Sequence, residues 1–124
     1  MDLPLRDLGK EHSIPSFWKD DISSIVIQLT KGNFELLGTS SNVSLQSSDL
    51  ADLNRQNVDD YGCCLIPLSE ECWERSCYQW QGEYWDLIVD LCTSEEGVSD
   101  LILSGRVYPL NSGFNYEVGL IYVP

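Results

Sequence analysis

A chain of 124 residues is one domain by length, long enough to bury roughly two-thirds of its unfolded surface without staples. A hydrophobic fraction of 43% and four tryptophans exclude the disordered class, and no run approaches the ~18 apolar residues of a membrane span. Twenty acidic residues against seven basic ones give a net charge of −13, which disfavours nucleic-acid phosphates and anionic membranes and steers basic proteins inward.

Met1–Pro15 carries two prolines, a glycine and mixed charge, and reads as an irregular leader (1–15). It lacks the basic-then-apolar layout of a signal peptide, so the expected compartment is the cytoplasm. A helical part follows at 16–62. Ser16 is placed as an N-cap, and Trp18, Ile22, Ile25, Val26 and Leu29 recur at helical spacing before Gly32 offers a left-handed stop. Asn33–Ser48 is a polar connection with one apolar patch, Phe34-Glu35-Leu36-Leu37. Ser47 or Ser48 can cap a second helix over Asp49–Tyr61, with Leu50, Leu53, Val58 and Tyr61 inward and Gly62 ending it.

A sheet part fills 63–124. Cys63–Ile66 is a short apolar run stopped by Pro67, and Ser69–Trp73 reads as one capped helical turn. Three runs then alternate with a period of two: Tyr84–Cys92, Val98–Leu110 and Phe114–Val123. In the first, Trp85, Leu87, Val89 and Leu91 share one face, and Asp86, Ile88 and Asp90 take the other. Gln81-Gly82-Glu83, Thr93–Gly97 and Asn111-Ser112-Gly113 supply the turns. The order predicts an α+β domain in which N-terminal helices pack on one face of a C-terminal antiparallel meander sheet of three to four strands. Cone-shaped folds of the nuclear transport factor or cystatin type share this order at the level of fold alone.

The block Trp73-Glu74-Arg75-Ser76, Trp80–Leu91 and Thr93–Leu101 carries a resemblance. It resembles a family of small bacterial domains with no assigned function, whose C-terminal half reads roughly W-D-x-L-V-D-L-x-T-x-E-E-G-x-S-D-L. The resemblance covers about residues 58–124 and implies no activity. Cys63, Cys64, Cys72 and Cys77 fall outside that pattern.

No catalytic, metal or cofactor set stands out. Five cysteines with a vicinal Cys63-Cys64 pair do not form a secreted disulfide framework, and they read as free thiols. Cys72 and Cys77 lack the second ligand pair that zinc needs, and the one histidine, His12, lies in the leader. Asp86, Asp90, Asp100, Arg106 and Glu117 are expected on one sheet face, opposite the apolar one. Asp86 and Asp90, however, are ~13 Å apart along a strand, too far to chelate one ion together. Glu95-Glu96-Gly97-Val98-Ser99-Asp100 lacks the ligand ladder of a calcium loop. Aromatic residues cluster at 73–85 beside Glu70, Glu71, Glu74 and Glu83, which disfavours base stacking.

The expected function is therefore a non-enzymatic acidic module that docks a basic protein, as an immunity protein or phage-type inhibitor does. Its candidate partner-binding residues are Glu70, Glu71, Trp73, Asp86, Asp90, Glu95, Glu96 and Asp100, with no direct contact to nucleic acid or membrane. The alternative is a small cavity-bearing enzyme or ligand-binding protein of the cone-shaped type. A homo-oligomer through an outward face bearing Ile88, Ile102 and Ile121 is the third expectation.

Overall fold

The three alternating runs become the long central strands of a sheet, and the shorter strands dress its edges. The computed structural model describes residues 4–124. In chain order the elements are β1 (Glu11–Ser13), α1 (Ser16–Thr30), β2 (Val43–Leu45), α2 (Leu50–Tyr61), β3 (Leu65–Ile66), a 3-10 turn (Glu70–Trp73), β4 (Cys77–Trp80), β5 (Trp85–Thr93), β6 (Gly97–Leu110) and β7 (Gly113–Tyr122). The sheet order is β1-β4-β5-β6-β7-β2, and β3 pairs with β5 beyond the end of β4. β2 runs parallel to β7, while the other pairings are antiparallel. The fold is α+β as expected. The sheet, however, is mixed and seven-stranded, not a meander of three to four. Strands of two or three residues are too short to show alternation, so β1, β2 and β3 leave no periodic signal in the sequence.

Helix α1 buries the five residues its spacing predicts: Trp18, Ile22, Ile25, Val26 and Leu29. Gly32 follows with φ 81°, the left-handed conformation that lets the chain turn away at little steric cost. Pro15, not Ser16, sits at the N-cap, and no side chain caps this end. Trp18 is fully buried, edge-on to Trp85 (5.4 Å between centroids), Tyr78 (5.2 Å) and Phe114 (5.4 Å). These rings, with Leu87, Val89, Leu91, Leu103, Val107, Tyr116 and Ile121 from the long strands, make the core between α1 and the sheet.

Helix α2 turns a different face inward from the one its leucines suggest. Ala51, Asn54 and Val58 are buried, whereas Leu53 is 47% exposed, and Leu50 and Tyr61 are half-buried. The cause is the outer edge of β7. β2 satisfies its first part: Tyr116 N–H donates to Asn42 O and Gln46 N–H to Val118 O, while Asn42 Nδ2 donates to Phe114 O. Where β2 ends, α2 takes over. Asn54 Nδ2 donates to Gly119 O (2.9 Å), Ile121 N–H donates to Asn54 Oδ1 (2.7 Å), and Asn57 Nδ2 donates to Ile121 O (2.8 Å). Two asparagine side chains thus act as the missing strand.

The β6–β7 ladder shifts register between Leu103 and Gly105, pairing Leu103 with Ile121 but Gly105 with Val118. The extra residue on β7 reverses the alternation, as a bulge does. Ile121 is therefore fully buried in the core and not outward beside Ile88, and Leu120 takes the outer side. Ile102 lies on the outer side as expected but is only 5% exposed. At Gly105 the strands come so close that a Cβ would sit 2.8 Å from Glu117 O, so glycine is required there for room.

The leader is docked and includes strand β1, so the expected irregular segment is corrected, apart from residues 1–3, which lie outside the described residues. Leu5 N–H donates to the Tyr78 hydroxyl and Leu5 O accepts the Trp85 indole N–H, both at 2.9 Å. The expectation of five free thiols is corrected too. Cys72 and Cys92 form a disulfide, leaving Cys63, Cys64 and Cys77 free. The bridge is invisible in spacing because it joins the 3-10 turn to a sheet strand 20 residues on. Among the described residues no helix is long and apolar enough to cross a membrane.

Two stability outcomes follow from this packing. Trp85→Ala is expected to cost about 3–5 kcal/mol, the range for truncating a buried aromatic. Asn54→Ala leaves a buried N–H and a C=O without partners, so a loss of about 2–4 kcal/mol is expected, against less than about 1 kcal/mol for Leu53→Ala. Urea denaturation of the three variants checks both; equal midpoints for the Asn54 and Leu53 variants would contradict the strand-edge role.

Candidate docking face on the open side of the sheet

The face of the sheet away from α1 is left open, and register decides what stands on it. Glu11, Gln79, Asp86, Arg106, Glu117 and Ser44 are successive neighbours across six strands, forming one polar row. The adjacent row is Ser13, Cys77, Ile88 and Ser104. Between them lies a concavity of about 300 Å³, lined by Glu11, Gln46, Cys77, Asp86, Ser104 and Arg106 among others. Gln46 reaches it by folding over Gly119, where its Nε2 is 3.1 Å from where a Cβ would stand.

Asp86 and Arg106 face each other in register but do not pair closely, since among the described residues Arg106 has no carboxylate oxygen within 4.0 Å. The guanidinium instead lies over the Tyr84 ring, 4.4 Å from its centroid, a cation–π contact. Burial pushes the Asp86 carboxyl above the ordinary carboxylate range, and the charge of Arg106 opposes that rise. Cys77 is half-buried, and burial first, then the charges of Glu11 and Asp90, push its thiol up, which is the opposite of nucleophilic activation.

The eight residues singled out from the sequence separate into four groups. Asp86 and Asp100 stand on the open face, half-buried and exposed respectively. Glu70 and Glu71 are exposed on the 3-10 turn, but Trp73 beside them is buried (9% exposed) in the core, with Lys19 Nζ 5.5 Å from its ring centre. Glu95 and Glu96 are exposed yet fasten neighbours to the β5–β6 turn: Glu95 accepts from Cys64 N–H, and Glu96 accepts from the Tyr61 hydroxyl. Asp90 is corrected from surface to buried. It is 7% exposed, its N–H donates to Ser76 Oγ, and Arg75 Nε lies 3.0 Å from Oδ2, near enough for charge attraction though out of line for a hydrogen bond. The 3-10 turn and Ser76 cover the stretch of β5 between β4 and β3, which alternation alone cannot reveal.

Comparison with known sequences decides the family at this point. The family described as a domain of unknown function (DUF7668) matches residues 26–124. The chain belongs to that family. No curated protein and no solved structure matches the chain. The DUF7668 match begins inside α1 and takes in β2, α2 and every strand except β1, so it extends well upstream of the resemblance read from residues 58–124. Within the DUF7668 region lie all the residues of the polar row except Glu11.

Sequence reasoning missed Glu11, Gln46 and Gln79 as members of this face, whereas Arg106 and Glu117 stand beside Asp86 as expected. The membership of the missed residues depends on pairings between distant strands, which no local pattern shows.

The shift at Asp86 gives a pH test. With the folded pKa above the unfolded value of about 3.9, the folded state holds the extra proton between the two, so stability falls as pH rises through that window. Asp86→Asn is expected to be more stable than the parent at pH 7, with the gap closing below about pH 3.9. Urea midpoints at pH 3.5, 5 and 7 measure it; a gap that widens toward low pH would contradict the burial of this carboxyl.

Proposed function

We propose that the chain is a non-enzymatic acidic module that docks a basic protein partner, in the manner of an immunity protein or phage-type inhibitor, and that the open sheet face is its docking surface. The observation that carries this reading is the row of Glu11, Asp86 and Glu117 with exposed Asp100 on the same side. Ile88, 38% exposed, stands among these carboxylates, an apolar centre with a charged rim of the kind protein interfaces use. A net charge of −13 adds long-range attraction for a cationic surface. A cytoplasmic location suits such a role. A homo-oligomer through this face is disfavoured, because a second copy brings carboxylates against carboxylates.

A small-ligand or enzymatic role in the same concavity is the second reading, favoured by the half-buried Asp86 on its wall. The two separate experimentally. Docking predicts that the immobilised protein captures one basic protein at low salt, that the same protein elutes as salt rises, and that Asp86→Asn with Glu117→Gln loses it while remaining folded. Capture unaffected by the double substitution would move the docking surface elsewhere, and no salt-sensitive partner at low ionic strength would sink the reading.

A further inference from the structure

The concavity has a chemistry more specific than negative charge, and what it lacks is as informative as what it holds. Its wall is rich in hydrogen-bond acceptors. Asp86 and Glu11 supply carboxylates. Ser104 Oγ gives its hydrogen to Leu120 O, so its lone pairs are left to accept. Gln79 gives an amide N–H to Gly9 O, while its Oε1 accepts from Gln81 Nε2. Arg106, the cation in the wall, is turned onto Tyr84, and among the described residues no Lys, Arg or His nitrogen lies within 4.0 Å of Asp86. A partly desolvated carboxylate without an ion pair is a costly arrangement that an incoming cation relieves.

We infer that this concavity is a receptor for a single guanidinium, the side chain of an arginine on the basic partner, with Asp86 as its counter-ion. The inference rests on the docking function proposed above and narrows it. A guanidinium is planar, carries five N–H donors in a fixed fork and is weakly hydrated, so it can engage the Asp86 carboxylate and neighbouring acceptors at once. A lysine ammonium is a point charge with stronger hydration and matches such a wall less well. Ile88 and Tyr122 line the same concavity and offer apolar surface to the methylene stem. The space, about 300 Å³, is roughly that of ten liquid waters, enough for one side chain that keeps part of its hydration.

The test uses the whole protein and two defined probes, an arginine octapeptide and a lysine octapeptide, titrated at low salt and followed by amide and carboxyl NMR. The arginine peptide is expected to bind more tightly, to shift the amides of Cys77, Gln79, Asp86 and Ser104 most, and to lower the titration midpoint of the Asp86 carboxyl. Asp86→Asn is expected to weaken it by about tenfold or more, while Glu83→Gln, an equal charge loss on the exposed β4–β5 turn, changes it less than about twofold. Shifts spread evenly over all acidic surfaces, equal binding of the two peptides, or an Asp86 midpoint that does not move would overturn the receptor and leave docking of basic chains standing. Absence of binding by either peptide removes both. The carboxyl titration is read on the unsubstituted protein, so a variant that fails to fold leaves the test decisive.

Discussion

A strand at the border of a sheet must find partners for its outward N–H and C=O groups, and in this protein the outer edge of β7 imposes that demand on the N-terminal half. Three suppliers meet it in succession: the backbone of β2, the side chain of Asn42, and the paired asparagines of α2. The β2–β7 ladder ends at Val118, and the bulge lies just beyond it, near Gly119. The asparagines of α2 reach the β7 groups from there on. The place of α2 is therefore set by hydrogen-bonding need as much as by apolar contact, which is why a helix with two buried aliphatic residues packs firmly.

That solution leaves the two sides of the sheet in different states. One side is closed by α1 and a group of interlocked rings, where shape decides what fits. The other is open over most of β5 to β7 and carries charge, with the disulfide and Ser76 closing one corner over Asp90. A packed side gives the strands fixed register, and fixed register holds Glu11, Asp86 and Glu117 in line although they lie far apart in the chain. Rigidity on one face thereby becomes geometry on the other.

Features that depend on local periodicity or on glycine at a turn were legible in the sequence. The buried stripe of α1, the β4–β5 and β5–β6 turns, and the inward placing of Trp85 belong to this class. Ile121 and Asp90 show where legibility stops. One is displaced by a bulge and the other is covered by a turn and a cross-link, and both causes are contacts between segments that the local pattern does not encode. The same holds for the candidate face: Asp86, Arg106 and Glu117 were legible as sharing the outward side, whereas their company of Glu11 and Gln79 required the strand order. Asn54 is a weak helix former by propensity, yet its value lies in its amide.

Both borders of the sheet are drawn from the first 45 residues, while its interior strands come from the last 48. A ribosome delivers the borders first. β1 and β2 emerge with no strand to join, and Val43 waits for Tyr116, its register partner 73 positions later, before the parallel pair can close. Such long-range pairing slows folding, because the loop between the partners must close before the contact is made. The chain is thus closed by its beginning: the segments made first complete both borders of a sheet whose interior is made last.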